Sequence, residues 1–87
     1  MRTQAQIDAV IQDIRSRLDA RREANGMALH VPPGGYEQHE DWLSVIVRPD
    51  QQGAVRAYDY VEALHEIDRE MRGCGIDHVV LVPAIVD

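Results

Sequence analysis

Apolar residues along this chain switch between two periods. From Ile7 the spacing Ile7, Val10, Ile11, Ile14, Leu18 places every apolar residue on one stripe of a helix. Thr3, with Gln6 three positions later, has the form of a capping box. Asn25-Gly26 supplies a left-handed stop. A helix is therefore expected over residues 4–24. Met27, Leu29 and Val31 then alternate with Ala28 and His30, which predicts a short strand over 27–31, ended by Pro32-Pro33-Gly34-Gly35. The polar run Tyr36–Asp41 reads as a loop, so strand, turn and next strand form an irregular antiparallel hairpin.

A second strand is expected over 42–48, with Leu43, Val45 and Val47 on one face and Trp42, Ser44, Ile46 and Arg48 on the other. Both faces are largely apolar, the pattern of a strand covered on two sides. Pro49–Gly53 breaks it. Helical spacing returns over 55–72, where Ala57, Tyr60, Val61, Leu64, Ile67 and Met71 share a face and Glu62, Glu66, Arg69, Glu70 and Arg72 line the wet side. Gly73 and Gly75 end that helix on either side of Cys74. A last strand follows over 77–82, and an apolar tail, 83–87, carries Ile85 and Val86.

Strand, helix, strand from Asp41 to Val82 predicts a βαβ crossover with its two strands parallel. The expected fold class is α+β, a two-layer α/β sandwich in αββαβ order. Two helices lie on a small mixed sheet of three strands, within one domain spanning 1–87.

With 87 residues the chain buries only about 60–65% of the surface its unfolded form exposes, so a shared interface would help it. The net charge of −6 argues against direct binding of nucleic acid. Its distribution is uneven: residues 1–24 carry five bases and four acids, 25–50 one base and four acids, 51–87 three bases and seven acids. The arginines of the first helix are interleaved with Asp13, Asp19 and Glu23, as on a solvated face. No apolar run reaches the length of a membrane span, and the N-terminal stretch lacks the apolar region of a signal peptide. One cysteine rules out an internal disulfide. A cytoplasmic protein is expected.

The chemistry-bearing motifs are few. There is no GxGxxG, P-loop, GxSxG or HExxH, and no pair of CxxC motifs. Glu62 and His65 have the E-x-x-H spacing of di-iron bundles, but no second such motif supplies the remaining ligands. Cys74 follows a helix C-terminus, where a thiolate is disfavoured, and reads as a small, partly buried residue. No catalytic residue and no cofactor are assigned.

Hairpin topology would gather His30, the Glu37–Asp41 loop, Cys74 and His78 at one rim of the sheet. His30, His39, Glu40, Asp41 and His78 are the ligand or metal candidates there. Arg48 and Asp50, in the βα loop of the opposite rim, stand where open α/β sheets bind ligands. Within the last strand the stretch Val79–Val82 carries no charge to protect an edge. Val80, Val82, Ile85 and Val86 are therefore the expected contacts of a homo-oligomer, a two-fold dimer first.

Three functions fit these features. The first is a non-catalytic interaction protein acting as a homo-oligomer, with an unidentified protein as a possible further partner. The second is a small-molecule or metal-binding protein using one rim. The third is an acidic inhibitor or regulator docking on a basic, nucleic-acid-handling protein.

Overall fold

The computed structural model describes residues 2–50 and 57–84. The elements run α1 (Gln4–Asn25), β1 (Leu29–His30), β2 (Tyr36–His39), β3 (Trp42–Pro49), α2 (Ala57–Gly73) and β4 (Val79–Pro83). The expected turn at Gln51–Gly53, the expected first residues of the second helix and the tail residues Ile85 and Val86 lie outside the described residues.

Thr3 caps α1 as its sequence predicts. Its hydroxyl accepts the Gln6 amide, and the Gln6 side chain accepts the Thr3 amide, so both otherwise orphaned donors are satisfied. At the other end Gly26 adopts φ 75 and donates to the Arg22 carbonyl. α2 ends in a Schellman-type turn. Ile76 donates to the Met71 carbonyl and Gly75 to that of Arg72, with Gly75 at φ 87. Gly75 is thus the residue that stops α2, and Gly73 is still helical.

The sheet has four strands, one more than expected. β3 is central: β1 and β2 pair with it antiparallel on one side, and β4 pairs with it parallel. The additional strand is β2, Tyr36–His39, which the polar run had marked as loop. It joins β3 through the two-residue turn Glu40-Asp41, in which Glu40 holds φ 53. Leu43, Val45 and Val47 anchor β3 from beneath, and the backbone of β2 completes its ladder.

Strands β1 and β2 form one interrupted edge. His30 faces Arg48, and Tyr36 faces Val45. The chain advances six residues there while β3 steps back three, so three extra residues bulge out of the edge. The bulge lies between Val31 and Gly35 and contains Pro32-Pro33-Gly34. Gly35 closes it by donating to the Pro32 carbonyl at 2.9 Å and accepting from Ile46 at 2.7 Å. A Cβ on Gly35 would stand 2.7 Å from the Pro32 ring, so no larger residue fits there without movement.

Both helices cover the same face of the sheet. Ile7, Ile11, Ile14 and Leu18 of α1 meet Tyr60, Leu64, Ile67 and Met71 of α2 over Leu29, Leu43, Val45, Val47, Val79 and Leu81. The architecture is the two-layer α+β sandwich. The expectation that β3 is covered on two sides does not hold. Both helices of the described residues lie beneath the sheet, and nothing among those residues covers the upper face. Trp42 and Ile46 there are exposed.

Arginines stitch the helices together. Arg21 donates to Glu66 at 2.6 Å and to Glu70 at 2.7 Å, while Arg17 bridges Asp13 at 2.8 Å and Glu70 at 3.1 Å. Glu66 and Glu70, expected on the wet side of α2, therefore face α1. Asp13 raises the pKa of Arg17 above its ordinary value, and the nearby Cys74 sulfur adds to the effect. Cys74 itself is exposed, contrary to its expected partial burial.

Candidate functional site

Side chains on β3 alternate strictly, which sorts the sheet into a buried lower face and an open upper one. Leu43, Val45 and Val47 point down. Trp42, Ile46 and Arg48 are exposed on the upper face, and Ser44 is half-buried there. The ladder carries this sorting to the neighbours. Val79 and Leu81, opposite Leu43 and Val45, point down, while Val80 and Val82, opposite Ser44 and Ile46, point up. On β2, Glu37 and His39 point up beside Ser44 and Trp42.

Four large apolar side chains thus share one uncovered face: Trp42 is 43% exposed, Val80 41%, Ile46 37% and Val82 36%. Single exposed hydrophobes are ordinary, but four on neighbouring positions form a patch. Val80 and Val82, singled out in the sequence as contact residues, belong to it. Trp42 and Ile46 were not singled out, because alternation cannot distinguish a second covered face from a bare one.

The edge beside the patch is open. Leu43 donates to the His78 carbonyl and Ala84 donates to that of Val47, so the backbone groups of residues 78, 80, 82 and 84 serve β3. Those of Val79, Leu81 and Pro83 point outward. Pro83 brings no N–H to that edge, the position where a sheet accommodates proline.

At the rim where β3 begins, Trp42 packs edge-on to His78, with ring centroids 5.0 Å apart and planes at 62°. His78 holds φ 61, a left-handed conformation costly for a residue with a Cβ. His39 lies 3.1 Å from Glu37. Arg2 ties this rim to the start of α1 by donating to the carbonyls of Asp41, Asp77 and His78. A depression of about 520 Å³, walled by Arg2, Gln6, Val10, Asp77 and His78, is broad and open to solvent. Gln38 points downward instead of joining the rim, and its Oε1 is buried without a partner among the described residues.

His30 does not belong to this rim. It pairs with Arg48, whereas His39 pairs with Trp42, six residues away along β3 or about 20 Å. His30 lies at the other rim from the one expected because β2 occupies the near end of β3 and leaves β1 the far end. There the His30 Nδ1 meets Asp50 at 2.7 Å, and Arg22 pairs with the other oxygen of the same carboxylate. Arg48 has no ion-pair partner among the described residues. The candidate ligands are thereby divided: Glu40, Asp41, His39 and His78 at one rim, His30 with Asp50 and Arg48 at the other. Among the described residues no group of three His, Cys, Asp or Glu side chains is placed to hold a metal ion. No helix among them is long and apolar enough to cross a membrane.

The chain matches no protein-family model, no curated protein and no solved structure.

Proposed function

We propose that this chain is a non-catalytic interaction protein that works as a homo-oligomer, with the uncovered sheet face as its contact surface. The observation that carries this is the cluster of Trp42, Ile46, Val80 and Val82 on one bare face beside an unprotected edge. Together they leave roughly 300 Å² of apolar side chain in water, within the range where the largest patch on a monomer is often functional. The dispersal of the histidines and carboxylates between two rims leaves this patch as the most conspicuous surface without a role.

Magnitudes favour the face over the edge. Covering the patch on two copies removes roughly 600 Å² and contributes on the order of 15 kcal/mol at about 25 cal/mol/Å². Lost freedom on association costs about 4–15 kcal/mol, so a dimer in the micromolar range, worth about 8 kcal/mol, is attainable. Pairing β4 with a second β4 adds about four hydrogen bonds, since only Val79 and Leu81 offer donors outward. At about 1 kcal/mol net each they contribute far less.

Sedimentation velocity at tens of micromolar tests the proposal. A dimer is expected for the natural chain, and a monomer with unchanged circular dichroism for Ile46→Asp. A natural chain that sediments as a monomer at that concentration removes the proposal.

A further inference from the structure

We infer that two copies pack upper face to upper face about a two-fold axis running across the strands, so that Arg48 of each chain seats on the partner's Trp42. This rests on the homo-oligomer proposed above and specifies its geometry.

The upper face is polarised along β3. One end carries Arg48 and His30. The other carries Trp42 and His39 beside Glu37 and the Glu40-Asp41 turn. Arg48 is exposed and has no ion-pair partner among the described residues, whereas Asp50 at its own end is already shared by Arg22 and His30. Among the described residues the cation is thus unneutralised at one end, and an aromatic ring with neighbouring carboxylates lies at the other. A surface of that kind complements itself when one copy is reversed end for end.

A two-fold axis within a sheet-on-sheet interface can lie along the strands or across them. Along the strands, Arg48 would face a second Arg48, and the valines of β4 would lie over the partner's Glu37. Across the strands, β4 lies over β4, Val80 over the partner's Val82, and Ser44 over the partner's Ile46. Arg48 then reaches the partner's Trp42 ring and Glu37 carboxylate, twice per dimer. Only the second arrangement separates the two Arg48 cations and lays the valines of β4 on apolar partners. Both arrangements keep the strands of the two sheets nearly aligned, as stacked sheets prefer, so charge and apolar contact decide between them.

Within one chain Trp42 and Arg48 are about 20 Å apart, beyond direct contact, so any energetic coupling between them must cross an interface. The test is a double-mutant cycle on the dimer dissociation constant, measured by sedimentation equilibrium and by the concentration dependence of the emission of Trp42, the chain's single tryptophan. That emission is read on the variants that keep Trp42. Arg48→Ala and Trp42→Ala are each expected to weaken the dimer by roughly tenfold or more, and the double variant by clearly less than the product. Arg48→Glu should weaken it further than Arg48→Ala, and Arg48→Lys less. Both positions are exposed, and circular dichroism of each variant confirms that the fold persists. A dimer whose two single effects multiply, or that ignores Arg48→Ala, overturns this geometry and leaves the homo-oligomer standing. A monomeric natural chain overturns both.

Discussion

The Tyr60 hydroxyl donates to the Val47 carbonyl, tying the first turn of α2 to the far end of the central strand. The same oxygen accepts the Ala84 amide at 3.0 Å, so one buried side chain closes the parallel β3–β4 ladder from beneath. Burial raises the pKa of Tyr60, against smaller opposing effects of the Ala84 amide and the Arg48 charge.

Tyr60→Phe keeps the ring and removes both bonds, which should cost about 1–2 kcal/mol at neutral pH. A pKa raised in the folded state means that the unfolded chain gives up its proton first. The contribution of Tyr60 is therefore complete below about pH 10 and is lost as the pH climbs through the folded value. Urea denaturation of both proteins between pH 8 and 11 should show the gap closing at the alkaline end. A constant gap would mean that the hydroxyl is not held as described.

Ile14 is fully buried, whereas its neighbour Arg15 is exposed. Ile14→Ala should destabilise by about 2–5 kcal/mol, a loss of well over 10 °C in Tm for a chain of this length. Ile14→Asp should prevent folding at room temperature. Arg15→Ala should stay within about 0.5 kcal/mol. Thermal melts of the three variants suffice, and equal melting of Ile14→Ala and Arg15→Ala would reverse the assigned face.

Arg21 spans two carboxylates of α2 with one guanidinium, although Glu66 and Glu70 remain about half exposed. Arg21→Ala should cost about 1 kcal/mol at low salt, with much of that gone in 1 M NaCl. Arg21→Lys should recover only part, because a single ammonium does not reproduce the fork. Denaturant midpoints at two ionic strengths would show this, and a salt-independent loss would point to packing of the stem instead.

Glu40 is an exposed residue in a left-handed turn conformation. Glu40→Gly should therefore stabilise the fold, by about 0.5–1 kcal/mol, where most substitutions destabilise. Glu40→Ala keeps the Cβ and should not. Midpoints of urea unfolding for the pair settle the sign.

The helices were legible in the sequence because their signals are local. The stripe from Ile7 to Leu18, the Thr3–Gln6 box and the glycines after each helix depend on spacing alone. The same holds for the alternation of β3 and the apolar run of β4. Strand β2 was not legible, because Tyr36-Glu37-Gln38-His39 has no apolar alternation and owes its conformation to the ladder beside it. The inserted residues also shift the phase of the edge, so that Leu29 and Tyr36 both point down although they differ in parity. His30 falls at the other rim from the one expected because the unforeseen β2 takes the near end of β3. The bare upper face was invisible for a different one: a strand's own residues do not reveal how many layers the remaining chain can supply.

The bulge at Pro32–Gly34 has a consequence for how far association can run. Sideways growth of a sheet into a fibre requires every chain to offer two matching edges, one to receive and one to pass on. Here the β1–β2 edge is interrupted after two residues on one side and four on the other, and it carries Glu37 and His39. Among the described strands only β4 presents an unbroken, uncharged run. A chain with a single usable edge can terminate a pairing but cannot relay it. The kink that spoils half of this small sheet thus protects the molecule from open-ended polymerisation.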